Sequence, residues 1–513
     1  MKNLNTNPAQ LLRSIVLLTT MSALAVCPCA FGKSGRPLTE RRSNLVASIT
    51  DNTLTSKWGI NALSRESDYI VNCSYTQYTA NHNGISADSD AYGAINDVHI
   101  NNRGADWVKP GEGAEGVIGL MAAARQMHGM NLPTTTYDAV LDIYFDKWIY
   151  KHRQGWQLNP SVPNYGGMAD RIYYDSSGRW VRNDGPTTSV TGMMISVMWK
   201  RYEYLQSVGR EDEAKHWLTA SWPLAKLAGD FICRNYDPAT QMIHGNSSPG
   251  DLWTADSVLG VVGLRCLQQW STDIGDGTAQ SNYRNMADRV VGGIEQMKDS
   301  TKWPNFYRFR DHSHGYAPSY GDCVDQLCFL PYEADVLDCG HPFAREISDW
   351  WTHATRAGAQ ADNMDMTPQI DDPKDWRYFG THWHLFFADK PENHYLYPGP
   401  GLQLAKVEWK YAKRTSDKTL LSRACHRLMW AGQSQYSNLW QGDSPAAADS
   451  AASGIVDWRD ADNYKNTAQN WARFVDTSSF MIETTLMVCF DKDTKYVPDE
   501  TQIASVPTKR SRG

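Results

Sequence analysis

The stretch Gly178–Tyr204, GRWVRNDGPTTSVTGMMISVMWKRYEY, joins a polar loop to an apolar helix. The loop ends in Asp184-Gly185-Pro186, residue types that favour a turn, and proline suits the first position of a helix. From Val190 to Trp199 apolar side chains cover nearly every face, and a helix that is apolar all round lies in a protein interior. The stretch therefore predicts a polar, aromatic loop that leads into the N-terminus of a buried helix.

Buried and amphipathic helical patterns alternate along the rest of the chain. The connections that lead into buried helices run to roughly twenty to forty residues, and loops of that length are uncommon unless they carry function. An (α/α)6 toroid, in which six inner helices are ringed by six outer ones, places all such loops on one face. We therefore predict an all-α (α/α)6 toroid; the alternative is an irregular helical solenoid or two bundles. The predicted helices are Ser43–Ile70, Glu112–His128, Thr134–His152, Thr187–Gln206, Glu211–Tyr236, Thr254–Trp270, Gln280–Met297, Asp322–Leu337, Pro342–Arg356, Gly399–Arg414, Ser416–Ala431 and Asp462–Phe490.

The composition fits a large globular protein that handles neutral or mildly charged ligands. The chain has 513 residues and a net charge of −7, with no block of like charge that would indicate nucleic acid or an anionic membrane as a partner. It is rich in aromatics, with 20 Trp and 25 Tyr. Most of these rings are expected to pack in the core, and the rest can stack on the flat C–H faces of sugar rings.

Residues 1–32 have the pattern of a secretory signal peptide. Lys2 and Arg13 precede the apolar run Ser14–Val26, and Ala30-Phe31-Gly32 provides small residues for cleavage. The run is too short to span a bilayer. We therefore expect a secreted or periplasmic protein; a lipoprotein signal ending at Cys27 is the weaker alternative.

After the leader, residues 33–491 are predicted to form a single toroid and residues 492–513 a loose polar tail. Loss of the leader takes Cys27 and Cys29 from the ten cysteines and leaves an even number, which permits disulfides whose pairing the sequence does not define. No CxxC pair suggests zinc, and no phosphate-cradling loop is present, so no metal or other cofactor is predicted.

Carboxylates gather where the long loops meet the predicted inner helices. Asp is a preferred N-cap, so capping accounts for more than half of them. Capping does not require the aromatic residues that accompany these carboxylates, and the combination suits a carbohydrate cleft. The candidate catalytic residues are Asp184, Asp256, Asp322, Asp325 and Asp460, and the neighbouring candidate binding aromatics are Trp180, Trp253, Trp458 and Tyr464.

Hydrolysis of a glycosidic bond needs two carboxyl groups. One stays protonated and donates to the leaving oxygen, while the other activates water or attacks the sugar. Several carboxylates in one cleft can separate their pKa values, because a carboxyl group buried near like charge resists ionising. The carboxylate-rich loops therefore indicate a glycosidase.

Two short segments resemble motifs of the glucoamylase family. The segment GRWVRNDGP at residues 178–186 is similar to that family's GRPQ(N/R)DGP motif, whose Arg and Asp bind sugar hydroxyls at the −1 subsite. The segment Asp251-Leu252-Trp253 resembles its DLWEE motif, but Thr254 stands where the family has its general acid. The resemblance implies kinship with six-hairpin glycosidases, which are (α/α)6 toroids and mostly invert configuration.

The resemblance and the helix starts together suggest a role for each carboxylate. Asp184, with Arg182 beside it, is expected at the −1 subsite. Asp256 replaces the missing acid on the same helix start, and Asp460 is the first candidate for the second carboxylate, followed by Asp322 and Asp325.

A second constellation favours a different chemistry. The loop Arg308–Tyr320 brings together two arginines with His312 and Tyr316. A polysaccharide lyase needs a cation against a uronate carboxylate and a Tyr or His to remove a proton. Binding by His312 and Tyr316 in a hydrolase cleft is the preferred interpretation, and a lyase is the alternative.

The sequence thus predicts an exported enzyme that hydrolyses glycosidic bonds of an oligo- or polysaccharide, with no nucleic-acid partner and no membrane span. The alternatives are a lyase acting on a uronate-containing glycan and a non-catalytic glycan-binding toroid. The missing Glu after Trp253 is the feature that suggests the latter.

Overall fold

The structure is a computed structural model that describes residues 52–77, 86–96, 98–100, 103–104, 107–246, 252, 254–299, 306–307, 335–336, 345, 348, 381–382, 395–432, 459–460 and 472–498. Helices dominate this part of the chain. They are α1 (Asn52–Asn72), α2 (Pro110–Gly129), α3 (Thr135–Ile143) continued by a π-helical segment (Tyr144–His152), α4 (Thr188–Ser207), α5 (Glu211–Arg234), α6 (Thr254–Ile274), α7 (Gly277–Gln296), α8 (Pro398–Thr415), α9 (Lys418–Gly432) and α10 (Val475–Phe490).

The described helices form two layers. Helices α8, α10, α2, α4 and α6 pack side by side in that order and make the inner layer. The even-numbered helices are buried on almost all sides, as α6 illustrates, whereas α5 buries one side and exposes its charged one. The outer helices α1, α5, α7 and α9 pack against α2 and α10, α4, α6 and α8, respectively.

Short antiparallel strands lie in the loops that precede the inner helices. Strands β3 (Trp107–Val108), β5 (Ile172–Tyr174) and β6 (Trp180–Asn183) form a three-stranded sheet, and β4 (Met168–Ala169) pairs with β7 (Pro186–Thr187) just before α4. The remaining strands are β1 (Val98–Ile100), β2 (Arg103–Gly104), β8 (Tyr236–Asp237), β9 (Met242–Ile243), β10 (Lys298–Asp299), β11 (Phe306–Tyr307), β12 (Thr381–His382), β13 (Tyr395–Tyr397), β14 (Arg459–Asp460) and β15 (Ala472–Phe474).

The prediction for the last helix was wrong at its start. Residues 472–474 form β15, which pairs with β1, and α10 begins at Val475 rather than at Asp462. The strand takes its hydrogen bonds from a segment far away in the sequence, which a local helical pattern does not reveal. The predicted helices Asp322–Leu337 and Pro342–Arg356 lie almost entirely outside the described residues.

The C-terminal segment also differs from the predicted loose tail. Lys492 and Asp493 are exposed, but Tyr496 is 2% exposed and Val497 and Pro498 are buried beside it, so the end of the described segment packs into the protein. Their buried partners lie on distant helices and are not visible in the polar sequence around them. Among the cysteines that the structure describes, Cys233, Cys266, Cys425 and Cys489 are free thiols.

Glycines let the inner helices approach one another closely. A Cβ on Gly192 of α4 would lie 2.1 Å from the Leu259 carbonyl oxygen of α6, and Gly263 of α6 faces Gly192 in return. Between α2 and α10, a Cβ on Gly116 would lie 2.0 Å from a Val475 side-chain carbon. Real Cβ contacts are longer, so a larger residue at either position fits only if neighbouring atoms move.

We expect Gly192→Ala to destabilise the protein by about 1–3 kcal/mol, because the added methyl group must displace backbone rather than a flexible side chain. Urea unfolding followed by circular dichroism measures this cost. Gly129→Ala in α2 is the matched control, since nothing lies within 4 Å of its added Cβ. An unchanged midpoint for Gly192→Ala would contradict the close helix contact.

Candidate functional site

Three carboxylates lie together where two neighbouring inner helices begin. Glu112 and Glu115 lie in the first turns of α2, and Asp476 lies in the first turn of α10. The two helices run side by side, because Val475 contacts Gly116 and the Ser479 hydroxyl donates to the Glu115 carbonyl oxygen at 2.7 Å. Helix N-termini carry partial positive charge, so both helices favour anionic groups here.

Two of the three carboxyl groups, Asp476 and Glu115, have raised pKa values. Burial, and secondarily the charge of Glu112, raises the pKa of Asp476 to about 7, although hydrogen bonds from Thr477 partly oppose the shift. Burial and the charges of Asp476 and Glu112 raise the pKa of Glu115 well above its usual range. At neutral pH the cluster therefore contains carboxyl groups that can hold a proton.

Glu112 has a lysine as a hydrogen-bond partner. Lys109 donates to Glu112 Oε1, and the lysine also lies over the Trp107 ring, 5.6 Å from its centroid. The other oxygen, Glu112 Oε2, is buried and accepts no hydrogen bond from the residues that the structure describes. A buried acceptor without a donor is costly, so this oxygen suits a hydroxyl group supplied by a ligand.

The sheet β3–β5–β6 presents one row of side chains beside this cluster. Trp107 pairs with Tyr173, and Tyr173 pairs with Arg182, so the three side chains share a face. The Arg182 guanidinium lies 3.6 Å from the Tyr173 ring centroid. Arg182 and the Tyr173 hydroxyl both donate to Asp184, at 2.9 and 3.1 Å, so the sheet holds Asp184 in one orientation.

Asp170 connects the sheet with the three carboxylates. Burial raises its pKa; the cations Lys109 and Arg171 lower it, and the anions Glu112 and Asp184 raise it. Its backbone N–H donates to the Gly185 carbonyl, which ties it to the loop before α4. Glu112 and Asp184 are therefore both near enough to Asp170 to act on one ligand-binding surface.

Trp180 is the open aromatic of the β5–β6 hairpin. It is 48% exposed, and its indole N–H donates to Asn183 Oδ1 at 2.7 Å, which fixes the ring at the tip of the β5–β6 hairpin. The face of Tyr173, in contrast, is covered by Arg182. Of the two rings, Trp180 is therefore the one that offers a free face to a sugar.

Asp256 caps a helix, which is the structural alternative to a catalytic role for carboxylates at helix starts. Asp256 Oδ1 accepts a hydrogen bond of 3.1 Å from the Ser189 backbone N–H in the first turn of α4, whose own N-cap Thr187 provides no side-chain bond. Asp256 thus caps the neighbouring inner helix.

We expect Asp256→Ala to cost about 1 kcal/mol of stability, because α4 loses its cap, and Asp256→Asn to cost less, because Oδ1 is kept. Thermal unfolding measures both changes. Asp276→Ala, which removes the cap of α7 at Ala279, is the matched comparison and should have a similar cost. Unchanged stability of Asp256→Ala together with lost turnover would instead support catalysis by Asp256.

Other predicted site residues are not tested by the structure. Asp460 lies in β14, opposite Tyr395, and its side chain is outside the described part of the chain. The residues Asp322, Asp325, Trp253, His312, Tyr316, Trp458 and Tyr464 also lie outside it. They remain predictions.

Sequence reasoning missed Asp476. The predicted helix started at Asp462, which placed Asp476 in mid-helix rather than in a first turn. The usable signal was the run Asp476-Thr477-Ser478-Ser479, whose residue types favour a helix start. Among the residues described, no group of three His, Cys, Asp or Glu side chains is arranged to hold a metal ion, and no helix is long and apolar enough to cross a membrane.

No protein-family model and no curated protein matches the chain. Among solved structures, it is similar to a D-mannose isomerase (11% identity, 85% of this chain and 97% of that one, TM-score 0.51). It is also similar to the cellobiose 2-epimerase of Spirochaeta thermophila (9% identity, 88% of this chain and 98% of that one, TM-score 0.51). A third similar structure, from Streptococcus pneumoniae, is described with a family of metal-independent α-mannosidases (10% identity, 90% of this chain and 99% of that one, TM-score 0.50). These likenesses confirm the predicted (α/α)6 toroid.

Proposed function

We propose that the protein is an exported carbohydrate-active enzyme that hydrolyses glycosidic bonds of an oligo- or polysaccharide. The observation that carries the proposal is the pairing of Asp476, whose pKa is raised to about 7, with Glu112, which is bonded to Lys109. Asp476 is then the general acid that protonates the leaving oxygen, and Glu112 is the carboxylate that activates water in an inverting reaction.

The surroundings of the pair support a sugar as the ligand. The buried oxygen Glu112 Oε2 is suited to a sugar hydroxyl, and Asp184 is held by Arg182 and Tyr173 where it can bind further hydroxyls. Trp180 offers an exposed ring for stacking. The Streptococcus pneumoniae neighbour, described as an α-mannosidase, has the same fold, which is consistent with a glycosidase on this scaffold.

Sugar isomerisation or epimerisation is the second candidate. Two of the similar structures are a D-mannose isomerase and a cellobiose 2-epimerase. A carboxyl group with a pKa near 7 can also remove and return a proton beside a carbonyl group. In an isomerase or epimerase, Asp476 would transfer a proton and no glycosidic bond would be broken.

A screen of the purified protein against neutral and acidic glycans and free sugars distinguishes these functions. Reducing ends that form without ultraviolet absorbance support hydrolysis, and the anomer released first, read by proton NMR, tests inversion. Absorbance of an unsaturated uronate would instead support the lyase, and a ketose or epimer without chain cleavage would support the isomerase. Glycan retention on a column with no product would support a binding toroid.

A further inference from the structure

The C-terminal segment turns back into the protein after α10. The turn lies at Asp491, whose φ of 54° is in the left-handed region, and the following residues lead to Tyr496, which is 2% exposed. An aromatic residue thus enters the core from a stretch that is otherwise polar.

The backbone of Tyr496 is bonded to Asp335 and to the inner helices α4 and α6. Its N–H donates to Asp335 Oδ2 at 2.8 Å, and its carbonyl accepts from Ser196 Oγ of α4 at 2.8 Å. The Cys266 thiol of α6 contacts the same carbonyl at 3.4 Å. These bonds attach Tyr496 to α4 and α6, two neighbouring helices of the inner layer.

The Tyr496 hydroxyl reaches the other side of the inner layer. It donates to Glu483 Oε2 of α10 at 2.6 Å, and Lys406 of α8 donates both to the hydroxyl and to the same Glu483 oxygen. Lys406 and Glu483 are 0% and 1% exposed, so the three polar groups are bonded to one another in the protein interior. A buried ion pair is stable only when its geometry is fixed and its remaining polar atoms are bonded.

The buried pair adjoins the candidate site through α10. Glu483 lies one turn beyond Ser479, whose hydroxyl donates to the Glu115 carbonyl, so α10 connects the two groups directly. We infer that Tyr496 is a positioning residue of the site, whose hydroxyl fixes the Lys406–Glu483 pair against Glu115. The inference rests on the proposed function only in that Glu115 belongs to the same carboxylate cluster as Asp476 and Glu112.

The charges around each group support this connection. Burial raises the pKa of Glu115, the charges of Asp476, Glu112 and Glu483 raise it further, and Lys406 lowers it. Burial raises the pKa of the Tyr496 phenol, and the anions Glu483, Glu115 and Asp335 raise it further. The opposed effects of Glu483 and Lys406 on Glu115 depend on where the two charges are held, and Tyr496 contacts both.

A double-mutant cycle on thermal unfolding from acidic to mildly alkaline pH tests the inference without any substrate. It compares wild type, Tyr496→Phe, Glu115→Gln and the double variant. The thermal stability of the wild type is expected to decline as pH rises, and we expect Tyr496→Phe to shift the pH of this decline by on the order of one unit. In the Glu115→Gln background, Tyr496→Phe should cause no such shift. Once hydrolysis is measured, Tyr496→Phe should shift the pH profile of kcat and leave KM unchanged.

Two outcomes would overturn the inference. One is a loss of thermal stability in Tyr496→Phe that is the same at every pH, which is the result expected of a tyrosine with a structural role alone. The other is a pH-dependent cost that persists in the Glu115→Gln background, which would confine the hydroxyl's influence to Lys406 and Glu483. Tyr283→Phe is the matched control, because this buried hydroxyl also donates to a carboxylate, Asp230, and should show only a pH-independent cost. If no glycan is turned over but the cycle shows coupling, the proposed function fails and the positioning role stands.

Discussion

Asp476→Asn is expected to lower turnover by about 10²–10⁴-fold, because asparagine cannot donate the proton that the leaving oxygen needs. The same variant should be more stable than wild type at alkaline pH. This combination follows from the raised pKa of Asp476, since a group that resists ionising in the folded state opposes folding once it is forced to ionise.

The direction of the pH effect follows from the two pKa values. In the unfolded chain Asp476 titrates near 3.8, and in the folded protein at about 7. Its stabilising contribution is complete below the unfolded value and is lost as pH rises through about 7. The shift corresponds to roughly 4 kcal/mol at most, so Asp476→Asn should gain up to that amount above neutral pH and nothing at low pH.

Urea unfolding at several pH values, together with kinetics on the glycan identified in the screen, measures both effects. Asp212→Asn is the matched control, because Asp212 is also in the first turn of a helix, α5, but is exposed. It should change neither quantity. Full activity of Asp476→Asn would remove Asp476 from catalysis, and a stability difference that does not vary with pH would contradict its raised pKa.

Lys406→Met is expected to destabilise the protein by about 3–5 kcal/mol, because it leaves the Glu483 carboxylate buried without a counterion. The cost arises from the unpaired charge and not from the loss of the lysine itself. The double variant Lys406→Met/Glu483→Gln should therefore recover most of it, since the glutamine is neutral and can still accept from Tyr496.

Lys413→Met is the control that shows whether the cost of Lys406→Met comes from breaking a buried ion pair rather than from breaking any ion pair. Lys413 lies on the same helix and pairs with Asp491 at 2.7 Å, but these side chains are 46% and 66% exposed. Exposed pairs contribute about 0–1 kcal/mol, so this variant should unfold near the wild-type urea concentration. If Lys406→Met/Glu483→Gln were as unstable as Lys406→Met, lost packing rather than the unpaired charge would account for the destabilisation.

The helical layers were predictable because their signal is local. The apolar run in residues 254–270 indicates a buried helix without knowledge of its neighbours, and the structure begins α6 at the predicted Thr254. Asp184 was placed next to Arg182 by their adjacency in one turn, and the two are bonded.

The features that the sequence did not reveal depend on distant partners. Asp256 was visible as a carboxylate at a helix start, but the helix that it caps begins at Thr188. Tyr496 is one aromatic residue in a polar tail, and its contacts with Lys406 and Glu483 exist only once the helices are assembled. Asp476 was misplaced because β15 takes its hydrogen bonds from β1.

The pairing of β15 with β1 affects how the protein can be made. Val98 lies opposite Phe474, and α10 packs against α1 and α2, so the last described helix meets the first ones. A growing chain that has not yet produced residues 472–498 leaves the apolar sides of α1 and α2 uncovered. Such intermediates aggregate readily, and contacts this distant in sequence form slowly. We therefore expect nascent chains of this protein to depend on chaperones until the final helix has left the ribosome.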